Sequence, residues 1–392
     1  MDFDLPEDTE EFRKVVRSFA EEVVGPQAES FDAHGELPVE LLRQMAELGL
    51  FGLPFPEEYG GAGSDFLTLC VALEELARVD SSVAITLEAA VGLGAMPVHL
   101  FGTEQQKQEW LVPMARGEIL GAFALTEPGG GSDAGATRTT ARLDVDEWVI
   151  NGSKAFITNS GTPISRLVTI TAVTAESAGR KEITAILVPH GTPGFTVGRS
   201  YRKLGWHASD THELAFADCR VPAANQLGVR GEGYRSFLRI LDDGRIAIAA
   251  LAVGLGQGCL DESLRYAAQR SAFGRPIGAY QAIQSKLAEM AMRVELARTQ
   301  VYRAAWLKER GRPYRVQAAM TKIFASETAV YCAREAVQIH GGYGFIEEFP
   351  VARHYRDAKV LEIGEGTSEI LRILIARGLG VPGADFGPET GG

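Results

Sequence analysis

No Cys-x-x-Cys pair occurs in this 392-residue chain, whose four cysteines, Cys70, Cys219, Cys259 and Cys332, are scattered. That spacing excludes a disulfide framework and a thiolate zinc site, and it predicts four reduced, mostly buried small apolar residues. The seven histidines (His34, His99, His190, His207, His212, His340 and His354) lie at no ligand spacing with acids or cysteines, so no metal is expected. The opening Met1-Asp2-Phe3-Asp4 is acidic and carries no apolar signal core. No run of about 18 apolar residues is read anywhere in the sequence, so neither leader nor membrane span is expected, and a cytoplasmic protein is. Basic residues are few, 39 against 51 acidic, a net charge of −12. That balance disfavours nucleic acid and anionic membrane as partners, local basic patches aside. No internal repeat is visible.

What is present is ordinary for a globular protein: 45% apolar and 23% charged residues. The length exceeds what one core organises, so two or three domains are expected. Residues 1–120 have a helical pattern. Thr103 and Gln106 form a capping box, and Ser64 precedes the apolar run from Leu67 to Leu76. Pro54 to Gly61 reads as a loop between helices, most simply a solvent loop. Over 121–231 the period changes to two. Short runs rich in Val, Ile and Thr (Thr137 to Val145, Trp148 to Ile157, Arg166 to Val173, Glu182 to Val188, Glu213 to Phe216) predict a compact antiparallel β domain, a small barrel or sandwich. Residues 232–380 return to helix in four long pieces. Ile283, Leu287, Met290, Val294, Ala297, Val301 and Ala304 form a seam at spacings of four and three, the mark of an antiparallel four-helix bundle. The tail, 381–392, is Pro/Gly-rich and reads as flexible. The fold class is α+β and mostly helical.

Three stretches carry candidate chemistry. Phe123-Ala124-Leu125-Thr126-Glu127-Pro128 is an apolar strand stopped by proline, followed by Gly129, Gly130, Gly131 and Ser132. Without Cβ atoms, such a backbone lets a flat ring or phosphate approach its N–H groups, though a plain turn would look the same. Lys154 to Asn159 follows, in which Phe156 and Ile157 read locally as strand core. Near the end, Glu365 sits between Gly364 and Gly366, where a carboxylate can cap a helix or, if desolvated, act as a base near neutral pH.

In this order the stretches Thr126–Asp133, Lys154–Asn159 and Ile363–Glu369 resemble the acyl-CoA dehydrogenase family, and the resemblance runs from the N-terminal helices to about Leu379. It implies a flavoprotein using FAD to desaturate an acyl-CoA thioester to the 2-enoyl-CoA and passing electrons to an electron-transferring flavoprotein, in fatty acid or branched-chain amino acid catabolism. Glu365 would take the α proton while a hydride leaves the β carbon for flavin N5. The Glu365 N–H and a flavin ribityl hydroxyl would hold the thioester oxygen. Some relatives carry the base on another helix, just before the arginine matching Arg245; here Gly244 stands at that point, which leaves Glu365.

The same resemblance implies that Phe123, Leu125, Thr126, Gly131 and Ser132 line one side of the flavin. Phe156, Ile157 and Thr158 would line the other, Phe156 standing where many relatives have Trp. Arg270, Phe273 and Gln281, with Gln338, Ile339, Gly341 and Gly342, match segments that reach the cofactor of a neighbouring subunit, which implies a homotetramer. Thr367, Ser368 and Glu369 would touch the adenine half. Ser132, Asp242, Asp243, Gly244 and Arg245 are implied at coenzyme A, and Gly364 and Gly366 at the acyl group. The loop Lys203 to Ser209 has His207 where arginine is more usual. Similarity is greatest to short-chain and short-branched-chain members. Two alternatives stay open: a flavin oxidase or monooxygenase on this scaffold, or a non-catalytic flavin-binding, nucleic-acid-associated relative.

Overall fold

The computed structural model describes residues 4–177 and 179–383; the expected flexible tail therefore falls mostly outside the described residues. The N-terminal part is helical, with α1 (Glu7–Phe19), α2 (Phe66–Val79) and α3 (Ser81–Glu88) as its main members. Thr103 and Gln106 close the expected capping box. The cap of α2 is Asp65 rather than Ser64: its carboxylate accepts a hydrogen bond from the Thr68 N–H at 2.8 Å. A charged acceptor one residue closer displaces the hydroxyl. The Pro54–Gly61 stretch is not a solvent loop, because Phe55 (0% exposed) and Tyr59 (6%) pack into the helical core.

One apolar run escapes the eye in the sequence. From Ser81 to Phe101 the chain is continuously helical, and long and apolar enough to cross a membrane by length and composition, but most of it is buried inside the protein. Its middle, Ala89–Ala95, is a π-helical segment directly after Glu88.

The central part is one eight-stranded sheet. Its strands are β1 (Leu120–Ala124), β2 (Thr140–Asp144), β3 (Glu147–Thr158), β4 (Ser165–Ser177), β5 (Arg180–Pro189), β6 (Phe195–Ser200), β7 (Thr211–Pro222) and β8 (Gln226–Leu227). The order is β6-β7-β3-β2-β4-β5-β8, with β1 beside β4. Most pairings are antiparallel as expected, but β1 and β2 each run parallel to β4. The sequence shows neither parallel pair, since their registers depend on residues far apart, and it also misses β6 and β8. Trp148, Ile150, Ile170, Leu214 and Phe216 form this layer's own core.

The C-terminal part is built on three long helices, α4 (Gly233–Gln269), α5 (Gln281–Glu309) and α6 (Arg315–His340). The fourth, α7 (Ser368–Gly378), has only 11 residues. Met290, Val294, Ala297, Val301 and Ala304 of the seam are buried, whereas Ile283 and Leu287 at its start are half-buried. All four cysteines are buried and free.

Candidate active site

Glu365 stands on the short joint between a 3-10 turn (Lys359–Glu362) and α7. The backbone there is left-handed at Glu365 itself (φ 52°) and at Gly366 (φ 104°), not at Gly364. A glutamate with positive φ is strained, and such strain is kept where surrounding structure demands it. The twist sends the carboxylate inward: both oxygens are buried and, the Glu88 carboxyl aside, neither finds a hydrogen-bonding partner among the described residues. A Cβ on Gly244, in α4, would stand only 2.0 Å from Oε2 of Glu365, so the glycine is what makes room for the acid. Burial pushes the Glu365 carboxyl up to about 7; a hydrogen bond with Glu88 and the charges of Lys322 and Arg245 pull the other way.

Those neighbours come from three helices. Lys322, on α6, is wholly buried and donates to the Gly366 carbonyl at 2.8 Å. Its ammonium is lowered to about 8 by burial. Arg245 is ion-paired with Asp242. Asp243 accepts from the Tyr314 hydroxyl at 2.5 Å. Of the residues implied at coenzyme A, both aspartates are therefore engaged within the bundle. Gly364 has open space: its nearest neighbour to an added Cβ would be the Val360 carbonyl at 3.6 Å.

The two stretches that the resemblance places at the flavin come together across the sheet. The Ala155 N–H donates to the Thr126 carbonyl at 2.9 Å. Behind them Lys154, 0% exposed, donates to Glu127 at 2.9 Å, the Leu125 carbonyl at 3.2 Å and Thr171 at 3.2 Å. Glu127 also accepts from the N–H groups of Arg138 at 2.7 Å and Thr139 at 3.0 Å. Burial lowers the Lys154 ammonium to about 8. Burial alone would raise Glu127, but the charge and hydrogen bond of Lys154 outweigh it and hold the carboxyl below its usual range. This pair fixes the strand end that feeds Gly129–Gly131. The glycine turn and Ser132 lie at the surface, with backbone open to a ligand.

Phe156 corrects the local reading. It lies in a bulge between β3 and β7 with φ 61° and is 65% exposed, stacked on Tyr201 at 5.1 Å. Ile157 is core, at 2%. The bulge inserts a residue and re-aims one side chain outward, as bulges beside binding sites do. Phe123, half-buried, stacks on Phe237 of α4 at 4.0 Å.

A second locus lies at one end of the bundle. Arg270, Ile339, Gly341 and Gly342, with Tyr266 and Tyr343 among others, line a cavity of about 580 Å³. Gln281 and Gln338 are exposed, and Phe273 is 96% exposed. The lining of this cavity includes neither Glu365 nor any residue of the 123–132 and 156–158 stretches. Thr367 caps α7 by accepting from the Ile370 N–H at 3.3 Å; the Ser368 hydroxyl is buried without a partner among the described residues, and Glu369 is exposed. Among the described residues, no group of three His, Cys, Asp or Glu side chains is placed to hold a metal.

Three family descriptions match in chain order: acyl-CoA dehydrogenase N-terminal domain over residues 6–118, middle domain over 122–219 and C-terminal domain over 231–380. The chain belongs to the acyl-CoA dehydrogenase family. A probable acyl-CoA dehydrogenase of Bacillus subtilis is 50% identical over 380 residues, 97% of this chain and 100% of that one. The structure of butyryl-CoA dehydrogenase from Megasphaera elsdenii superposes with TM-score 0.93 at 44% identity, covering 97% of this chain and 100% of that one. An acyl-CoA dehydrogenase of Bacillus anthracis, solved complexed with FAD, gives TM-score 0.90 at 35% identity, covering 96% of this chain and 67% of that one.

Sequence reasoning misses three residues of this acyl-CoA dehydrogenase: Lys154, Lys322 and Glu88. The lysines sit inside motifs or helices as single unremarked cations. Glu88 had one available signal, an acid in the middle of an apolar helix.

Proposed function

We propose that this acyl-CoA dehydrogenase oxidises the Cα–Cβ bond of a short or short-branched acyl-CoA thioester, with Glu365 as the base and FAD as its cofactor. The carrying observation is the Glu365 carboxylate, buried against Glu88 with no other hydrogen-bonding partner among the described residues, and raised by burial to about 7. A base with that affinity is ionised in a large fraction of molecules at neutral pH and still takes a proton readily.

The residues present fit the flavin. The glycine turn after Thr126 offers backbone N–H groups, Phe156 projects from its bulge as an aromatic wall, and Thr158 lies beside it on β3. Bound FAD supplies the acceptor for the hydride leaving the β carbon. The chain itself orients the thioester, excludes water from Oε1 and Oε2 of Glu365 and receives the α proton there. Lys322 and Arg245 hold the carboxylate ionised until it does. The backbone N–H of Glu365, beside the reacting carbons, suits the thioester oxygen as charge builds on it.

Two further parts of the reading concern partners. The cavity around Arg270 and the exposed Phe273 are completed by a second copy, in a homotetramer, and electrons leave through an electron-transferring flavoprotein. The deciding experiment is anaerobic mixing of holoenzyme with a panel of acyl-CoAs. Short or branched thioesters should bleach the flavin, and Glu365→Gln should slow bleaching by about 10²–10⁴ while retaining FAD. A mutant that bleaches at full rate overturns the assignment.

A further inference from the structure

Glu88 ends α3 where the helix widens into the π segment Ala89–Ala95. Such segments shift the register of side chains and recur at functional sites. The Glu88 side chain is 0% exposed, and neither carboxylate oxygen has a hydrogen-bonding partner elsewhere among the described residues. Among the described residues the one ionisable group it faces is Glu365, whose own oxygens are in the same condition. Two glycines make room for the meeting. A Cβ on Gly92 would come within 2.8 Å of Glu88 Oε1, and one on Gly244 within 2.0 Å of Glu365 Oε2. Two buried carboxylates side by side cannot both be ionised, because desolvation and mutual repulsion each oppose the second charge.

We propose that Glu88 is a positioning residue for the base: as a neutral carboxylic acid it donates its proton in a hydrogen bond to the Glu365 carboxylate, so that the pair holds one proton in the resting enzyme. This rests on the reading of Glu365 as the base. When Glu365 receives the α proton, the pair holds two, one on each residue, and its charge goes from minus one to zero. Geometry decides which acid keeps the resting proton. Lys322 from α6 and Arg245 from α4 face Glu365 and favour its ionised form, whereas Glu88 faces no cation among the described residues. Burial, and then the neighbouring Glu365, lift the Glu88 carboxyl well above its usual range. A purely structural Glu88 would only fill volume, and any side chain of its size would serve.

The test compares holoenzyme with its Glu88→Gln and Glu88→Leu variants. Resting wild type near pH 7.5 should show the infrared carbonyl band of a protonated, buried carboxyl group, and Glu88→Gln should remove it. The amide still donates a hydrogen bond, so in Glu88→Gln the pH at which flavin bleaching reaches half its maximal rate should stay near that of wild type. Leucine donates nothing, so in Glu88→Leu this midpoint should rise by about one pH unit, roughly a tenfold slower reaction at low pH. The proposal is overturned if the band is absent, if Glu88→Leu leaves the midpoint unmoved, or if Glu88→Gln lowers it, which would mean that Glu88 is the ionised partner. Should Glu88→Leu fail to fold, the band and Glu88→Gln still decide. Full-rate bleaching by Glu365→Gln would instead remove Glu365 as base, and the infrared band would then test the proton-sharing pair by itself.

Discussion

The Lys322 ammonium donates to the Gly366 carbonyl at 2.8 Å, one residue beyond the proposed base, and its charge also acts on the Glu365 carboxylate. One buried cation thus holds the joint and tunes the acid on it. Lys322→Met should raise the proton affinity of Glu365 and move the onset of flavin bleaching to higher pH. It should also cost about 1–3 kcal/mol by leaving the carbonyl unpaired. Urea unfolding and a pH–rate profile read the two effects separately.

Glu365 binds its proton more tightly folded (about 7) than its ordinary value of 4.5. Between those pH values the folded protein binds more protons than the unfolded chain, so this residue's contribution to stability falls as pH rises. Glu365→Gln removes the effect. Relative to wild type, the mutant should gain roughly 3 kcal/mol between pH 4.5 and pH 7.5. A difference in urea midpoints that does not change with pH would mean that the acid titrates normally.

Lys154 and Glu127 are buried together beneath the glycine turn. Lys154→Met leaves a buried carboxylate without its cation, a loss of about 3–5 kcal/mol. It should also loosen the loop, so FAD should wash out on gel filtration. Replacing both residues with apolar ones of similar size should recover stability but not cofactor retention.

Gly364 has no positive φ, and an added Cβ would meet nothing closer than 3.6 Å. Gly364→Ala should therefore be tolerated in fold and in activity. Gly364→Tyr should fill the space beside the reacting carbons and lower kcat/KM for branched acyl-CoAs more than for butyryl-CoA, by about 10–200-fold. Equal losses on both substrates would show that the space is not part of the acyl pocket.

Arg270 lies over the Tyr343 ring at 5.8 Å, at the rim of the end cavity. Arg270→Ala should weaken FAD binding by about 1.5–3 kcal/mol, the loss of one charge-assisted contact, with helix content unchanged. Sedimentation of wild type should show a tetramer; a monomer holding FAD fully would disprove the intersubunit contact.

What the sequence shows and what it hides divide along chain distance. The Gly364-Glu365-Gly366-Thr367 signature is local, and so are the Thr103 cap and the seam of α5, so all are legible. Phe156 is not legible as an outward ring because period-two alternation assumes an unbroken ladder, and a bulge with positive φ turns the ring outward. The parallel β1–β4 pair and the Glu127–Lys154 pair join residues that nothing local connects. Glu88 was hidden for the same reason: its partner lies at the far end of the chain, and an acid in an apolar helix looks like an interruption until the fold supplies the other acid.

The helix Ser81–Phe101 carries a consequence for how the protein is made. Its π segment packs on β1, and the helix as a whole packs on α4, which begins only at Gly233. At synthesis rates of about 5–20 residues per second, this oily stretch waits on the order of ten seconds for that part of its cover. A nascent segment of that length and apolarity is a target for aggregation and for lipid. In the unfolded chain Glu88 is charged, and one central charge opposes both fates. Glu88 becomes neutral only as the fold closes over it, so the residue that guards the newborn chain in water is the one left holding a proton in the finished enzyme.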